Sequence, residues 1–297
     1  MERRDPTLPY FLSVGLIAPH PPLQPPAFYF ERYLRTGVPE QVLGDWTTAP
    51  DPQAPGDRIA ASTVDLQGEA LLAARAAYYG SINHVDVQLR RLLNGISGVG
   101  RDPNLVVIYL SDHGEGLGDH YLWRKSRAYE CTARVPCLIT APQRFGLGHG
   151  AVHDQAGSLA DIMPTILEMA GLAIPESVDG HSLLPTLRGD GPVDRPHVHI
   201  EMSGYHHALT DGRHKYIWTP ETGAELLFDL DADPQESHDL ATRPAAAELL
   251  ARWRTALVAA LRDRPEGFVR DGQLQATGYR DATIPGSPAD RMLAASR

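Results

Sequence analysis

Residues 104–125 read NLVVIYLSDHGEGLGDHYLWRK, and the first third of that stretch limits the fold more than any other part of the chain. NLVVIYL has no polar/apolar alternation, so a strand built from it is apolar on both faces and must be covered on both. Helices packed on the two sides of a parallel sheet meet that need. The strand then empties at its carboxyl end into SDHGE, and it is outside the carboxyl ends of strands that open α/β sheets hold their ligands.

The flanking segments support the same class. VPCLITA at 135–141 repeats the apolar run, and Phe11 to Ala18 forms another, closed by PHPP, which predicts a buried strand. GEALLAARAAYYGSINHVDVQLRRLLNGI, from Gly68, keeps apolar residues at helical spacing, with Gly95 placed to stop the helix. DIMPTILEMAG offers Asp161 as a start signal, Pro164 in the first turn and Gly171 as the stop. The expectation is an α/β fold, a mostly parallel sheet flanked by helices and incomplete at its N-terminus. A smaller C-terminal antiparallel sheet plus helix follows it.

Residues 35–66, rich in Pro, Gly, Asp and Thr, predict a long excursion. Past residue 195, HVHIEM, HALTD, HKYIWTP and ELLFDL are short strands set off by turn residues such as Asp211-Gly212. RPAAAELLARWRTALVAALRDR supplies a helix to cover them. The domain reading is therefore an α/β core over 1–195, an antiparallel subdomain with its covering helix over 196–265, and a loosely held polar tail over 266–297.

Composition excludes some functions. At 297 residues and 42% hydrophobic the chain can bury a core, while a formal charge of −10 without a local basic patch argues against nucleic acid. No apolar run reaches the length of a membrane span. Pro6, Pro9 and the lack of a small-residue cleavage site argue against a signal peptide, which leaves the cytoplasm as the default compartment. Cys131 and Cys137 have neither C-x-x-C spacing nor a histidine ladder around them and read as buried free thiols.

Asp112 and His113 are adjacent, and Gly114 lets the backbone turn sharply, so a carboxylate and an imidazole can face one cation. Lys125, if it returns over the same loop, brings an ammonium for an oxyanion. His20 lies between Pro19 and Pro21, which restrict the backbone around it. Taken singly, each has an ordinary alternative: a hydrogen-bonded turn, a solvated basic end, a satisfied loop histidine.

Together with their surroundings they carry a resemblance. PYFLSVGLIAPHPPLQPP, YYGSINHVDVQLRRLL, VIYLSDHGEGLGDHYLWRKSRAYECTARVPCLIT, SLADIMPTILEMAGLAIPESVDGHSLLPTLRG and GRHKYIWTPETGAELLFDLDADPQESHDL resemble, in this order, the sulfatase family of the alkaline phosphatase superfamily. The resemblance implies sulfuric ester hydrolysis. It implies that Asp112 and His113 are the second pair of ligands to one divalent cation, calcium by family habit, with magnesium or manganese as alternatives. It further implies that Lys125 and His20 bind the sulfate and stabilise or protonate the leaving oxygen. A cation and an ammonium would neutralise charge as the S–O bond lengthens, and an imidazole suits proton donation near neutral pH.

The sequence departs from the family in one respect. Sulfatases carry a strand ending in paired aspartates and a C-x-P-S-R or S-x-P-S-R motif whose first residue becomes formylglycine. Neither stands upstream of PHPP here, and neither Cys131 nor Cys137 has the required Pro and Arg after it. The expectation is a C-terminal sulfatase portion with impaired activity, from a truncated gene product, a misplaced start or a split protein whose partner chain supplies the rest. The substrate would be a small-molecule or glycan sulfate ester. Two alternatives stay open: a phosphonate or phosphate monoester hydrolase of the same superfamily, and a non-catalytic relative that binds anionic glycans or a partner chain. His206 and His207 are candidate subsite contacts, with solvent-facing histidines as the plainer reading.

Overall fold

The computed structural model describes residues 5, 8–51, 63–97, 104–202 and 206–276. It divides into two compact units, Met1–Gln41 with Val64–Leu105, and Val42–Thr63 with Val106–Arg297.

In the first unit, helix α1 (Ala27–Thr36) packs against α2 (Gly68–Ser97). The α2 register brings Ala76, Ala77 and Gly80 to one buried stripe. Gly80 allows the close crossing, since a Cβ there would lie 3.1 Å from Pro25 Cγ and 3.2 Å from the Phe30 nitrogen. Tyr33 and Tyr79 meet across the pair with ring centroids 5.5 Å apart. The helix runs through Gly95 instead of stopping there. Residues 11–18, expected as a buried strand, belong to no ladder, and Phe11 and Ile17 are 76% and 82% exposed. The apolar run encodes a demand for cover, but a strand also needs a neighbour to take its backbone hydrogen bonds, and no described strand offers one.

The second unit opens with β1 (Val107–Leu110), followed by the site loop, a short helix α3 (Glu130–Ala133) and β2 (Cys137–Thr140). Both strands lie where the apolar runs predict them, yet they pair antiparallel, with Leu110 opposite Cys137. The chain re-enters the sheet beside the point where it left. A parallel partner would require a crossover to the far end of β1. The expected parallel sheet is thus not found among the described residues, where every ladder is antiparallel. Helices α4 (Ile162–Met169) and α5 (Leu184–Arg188) follow.

Strands β3 (Val198–Met202), β4 (His206–Thr210), β5 (His214–Trp218) and β6 (Glu225–Asp229) form a meander in that order. Its turns use Gly212 and Gly223 at φ 96° and 75°, a region that costs glycine little. Helix α6 (Ala247–Leu261), rich in Ala, Leu and Arg, covers one face. There Trp253, Leu257 and Leu261 pack on Leu209, Tyr216 and Trp218. Leu257 is fully buried, so its truncation to Ala costs about 2–5 kcal/mol. The start of the expected polar tail is held, because Phe268 inserts into this cluster and β7 (Val269–Arg270) pairs with β8 (Gln273–Leu274). Residues 277–297 lie outside the described residues. The opposite face of the sheet, with Ala208, Ile217 and Phe228, packs on Leu122, Ala128 and Tyr129. The sheet is therefore the floor under the chain that follows SDHGE. No helix of the described residues is long and apolar enough to cross a membrane.

Candidate active site

At the end of β1 the Ser111 hydroxyl donates to the His113 carbonyl at 2.8 Å, and the His113 N–H donates to Asp112 Oδ1 at 3.1 Å. His113 Nδ1 lies 2.8 Å from the Gly114 carbonyl oxygen, which can only accept, so Nδ1 carries the proton and Nε2 presents a lone pair. That Nε2 stands 3.7 Å from Asp112 Oδ2, on a side chain 85% exposed. With contact lengths of ~2.0–2.5 Å, one divalent cation can touch both atoms. The donor set fits the implied metal as two of its ligands. Among the described residues no group of three or more His, Cys, Asp or Glu is assembled for a metal.

Two glycines shape the loop by close approach. A Cβ on Gly114 would stand 2.2 Å from the Cys131 carbonyl oxygen, and one on Gly116 would stand 2.3 Å from that of Leu122. Gly114 is thus required by contact and not by a left-handed turn. Its N–H donates to Thr132 O at 2.8 Å, and Glu115 N–H donates to Cys131 O at 3.0 Å. Gly116 N–H to Arg124 O and Gly118 N–H to Leu122 O, both 2.8 Å, share one antiparallel register, which sets Lys125 across from Glu115. The Glu115 carboxylate also accepts from the Arg124 N–H. The backbone thereby returns Lys125 beside the Asp112-His113 turn.

The return is strained. Leu117, His120, Tyr121, Arg124 and Ser126 all have positive φ, between 50° and 82°, and non-glycine residues adopt that region only where surrounding contacts hold them. The contacts are visible. Val42 N–H donates to Asp119 Oδ1 at 3.0 Å and Gly44 N–H to His120 Nδ1 at 3.2 Å, while His120 Nε2 donates to Gln235 O at 3.1 Å. Burial lowers the His120 pKa, consistent with this neutral tautomer. Its ring packs on Trp46, centroids 4.8 Å apart.

Beneath the loop lies a polar knot. The Lys215 ammonium, fully buried, is 2.5 Å from Glu130 Oε1 and 2.9 Å from Glu236 Oε1, and it donates to the Ala128 carbonyl at 3.0 Å. Glu236 Oε2 accepts from the Glu130 N–H at 2.7 Å. Burial raises the Glu236 pKa, against the opposing pull of Lys215. The Ala128 N–H donates to His206 Nδ1 at 3.1 Å, and burial, with the Arg127 charge, pushes the His206 pKa down to about 3. The sequence reading passed over this knot. Its one signal was Lys215 within HKYIW, on the same face as Ile217 in a strand apolar on both sides.

His206 and His207 are 5% and 1% exposed, so neither is a subsite contact or a solvent-facing histidine. Both faces of the meander are covered, and β4 is buried along its whole length. His207 Nδ1 is 3.1 Å from His199 Nε2, and its ring meets Phe268 at 4.8 Å. Cys131 and Cys137 are free thiols; Cys137 is exposed on β2, unlike the expected buried thiol, while burial raises the pKa of Cys131. His20 belongs to the first unit, half-buried in the PHPP turn. Its N–H donates to Ile17 O at 2.9 Å, and its Nδ1 donates to Pro21 O at 2.8 Å. The structure thus gathers Asp112, His113 and the Lys125 backbone in the second unit, and His20 stands in the other.

Comparison with known proteins gives these residues a setting. The family model described as Sulfatase matches residues 2–172, and the one described as N-sulphoglucosamine sulphohydrolase, C-terminal, matches residues 118–263. An arylsulfatase of Clostridium perfringens is 37% identical over 288 residues, which is 96% of this chain and 60% of that protein. A Delta 4,5-hexuronate-2-O-sulfatase of Bacteroides thetaiotaomicron is 30% identical over 191 residues, 61% of this chain and 40% of that one. Among solved structures, a phosphonate monoester hydrolase from Silicibacter pomeroyi superposes with a TM-score of 0.69 at 28% identity, covering 82% of this chain and 54% of its own. The chain spans less than two thirds of the length of each of these relatives.

Proposed function

The chain belongs to the sulfatase family, and on that premise we propose that it forms the cation-binding and oxyanion-binding side of a sulfate ester hydrolase site. The observation that carries the proposal is the loop after β1. It sets a carboxylate and an imidazole of fixed tautomer 3.7 Å apart and returns Lys125 opposite Glu115.

Asp112 and His113 would hold a divalent cation, calcium by family habit. The cation supplies Lewis-acid polarisation of the sulfuryl oxygens. Lys125 places an ammonium against the same oxygens, where positive charge counts most as the S–O bond lengthens. His20 Nε2 gives the departing alkoxide its proton, a role assigned from the match of the PHPP segment to the family. The family's aldehyde nucleophile has no C-x-P-S-R or S-x-P-S-R precursor in these 297 residues, so no step through it is assigned to them. The substrate proposed is a sulfate ester of a small alcohol or a glycan. The hexuronate-sulfatase relative supports the glycan, and the nucleophile side would come from residues outside these 297, on the same polypeptide or on a partner chain.

Titration of the chain with Ca²⁺ and with Mn²⁺, followed calorimetrically, tests the reading. Asp112→Ala and His113→Ala are each expected to weaken binding at least about ten-fold, since even the outer partners of metal ligands are worth that much. Equal binding in wild type and both variants overturns it. The resemblance to the phosphonate monoester hydrolase supports a second reading, phosphonate ester cleavage. Rates on an aryl sulfate and an aryl phosphonate, measured on a form that carries the nucleophile motif, separate the two.

A further inference from the structure

We propose that Lys215 is a positioning residue for Lys125, fixing from the sheet below where the loop carries its ammonium. The inference rests on the reading of Lys125 as the oxyanion-binding group.

Lys125 sits on a backbone return in which Arg124 and Ser126, its two neighbours, both have positive φ, at 68° and 82°. A strained segment keeps its shape only while its ends are held. One end is tied to Gly116 and Glu115. The other is tied within three residues, at Ala128, where both backbone groups are taken: the N–H by His206 on β4 and the carbonyl by Lys215 on β5. The same ammonium holds Glu130, whose N–H is bound by Glu236. Thr132, one turn further, donates its hydroxyl to the Arg127 carbonyl at 2.6 Å, and its own carbonyl receives Gly114. The route from the sheet to Lys125 is therefore short and runs through Ala128. The route to Asp112 and His113 runs instead through Thr132, Ser111 and the end of β1. A buried ammonium facing two carboxylates is a costly arrangement whose removal leaves uncompensated charge. A well-packed apolar side chain would cover the loop as well, but it would not fix the Ala128 carbonyl.

The test compares wild type, Lys215→Met and Lys125→Ala as full chains, reading amide hydrogen exchange over residues 122–127 and affinity for inorganic sulfate. Lys215→Met is expected to speed exchange there at least ten-fold while α6 keeps its protection. It should weaken sulfate about ten-fold, as Lys125→Ala does, and leave Mn²⁺ affinity within about three-fold. A folded Lys215→Met with wild-type exchange and sulfate affinity overturns the inference, as does equal loss of sulfate and Mn²⁺ binding, the mark of a merely structural role. Should Lys215→Met fail to fold, Glu236→Gln removes one charge of the knot and is expected to loosen the same amides by a smaller factor. No loosening in that variant overturns the inference. If wild type binds no sulfate, or Lys125→Ala binds it unchanged, the function proposed for Lys125 falls, and the exchange measurement still decides whether Lys215 fixes the segment.

Discussion

Arg195 meets Asp161 through two parallel hydrogen bonds, Nη1 to Oδ1 at 2.9 Å and Nη2 to Oδ2 at 2.8 Å, on a carboxylate with no exposed surface. The same oxygens accept the N–H groups of His181 and Ser158, so one residue joins the start of α4 to the chain that precedes α5. Burial alone would raise the Asp161 pKa; the guanidinium and the two N–H donors outweigh it and lower the pKa below the usual carboxylate value. A lowered carboxylate stabilises the fold above the unfolded value of ~3.9, and that contribution is lost as pH falls through the folded value. Asp161→Asn leaves a half-buried guanidinium without its anion and is expected to cost about 3 kcal/mol at pH 7, the low end for a broken buried pair. Urea unfolding of Asp161→Asn, Arg195→Ala and the double variant checks this. The double variant should cost clearly less than the two single losses together; strict additivity would show that the pair is not coupled.

Acid should destabilise the meander through two histidines. Burial pushes His206 down to about 3, and burial together with the neighbouring His199 pushes His207 down to about 4. Both are neutral when folded, whereas in the unfolded chain they titrate near ~6.5, so below that pH the unfolded state takes up protons that the folded state refuses. Stability is then lost as pH falls from ~6.5 toward the folded values, with a slope of up to about 1.4 kcal/mol per pH unit for each histidine. Glu236, raised by burial, works in the opposite sense within the carboxylate range. His206→Asn keeps an acceptor for the Ala128 N–H and removes one titration. Unfolding midpoints at pH 7, 6 and 5 should fall less steeply in this variant, and an unchanged slope would discard the assignment.

How far these features were legible depends on what a local pattern can encode. Strands β3 to β6 and helix α6 follow from alternation, turn residues and helical spacing, all local properties. NLVVIYL and VPCLITA are strands as read, but an apolar run records burial and not the path of the connection, and so their antiparallel pairing was out of reach. Residues 11–18 exposed the same limit from the other side. Helix α1 was missed because AFYFERYLRT is ten residues long and follows a proline pair, which reads as loop. At the site, Asp112 and His113 are visible by residue type. Lys215, Glu130 and Glu236 are 21 to 106 residues apart along the chain and meet only when the sheet slides under the loop. No spacing rule finds such a set.

Gly114 offers the sharpest separation of loop shape from loop chemistry, because it carries no functional group. A Cβ there would meet Cys131 O at 2.2 Å and Thr132 Cα at 3.1 Å, both backbone. Neither can withdraw freely, since Cys131 O and Thr132 O already hold the Glu115 and Gly114 N–H groups. Gly114→Ala must therefore push residues 113–115 away and break those two bonds, at an expected cost of about 1–3 kcal/mol from overpacking. His113 Nδ1 is bonded to the Gly114 carbonyl, so the displacement also releases the tautomer lock and the 3.7 Å approach to Asp112. Mn²⁺ affinity is expected to fall at least ten-fold in Gly114→Ala although both ligands remain. Gly157→Ala, where a Cβ meets nothing within 4 Å, should bind as wild type does. Calorimetric titration of the two variants side by side decides it: equal affinities would mean that the cation does not depend on the geometry of this turn.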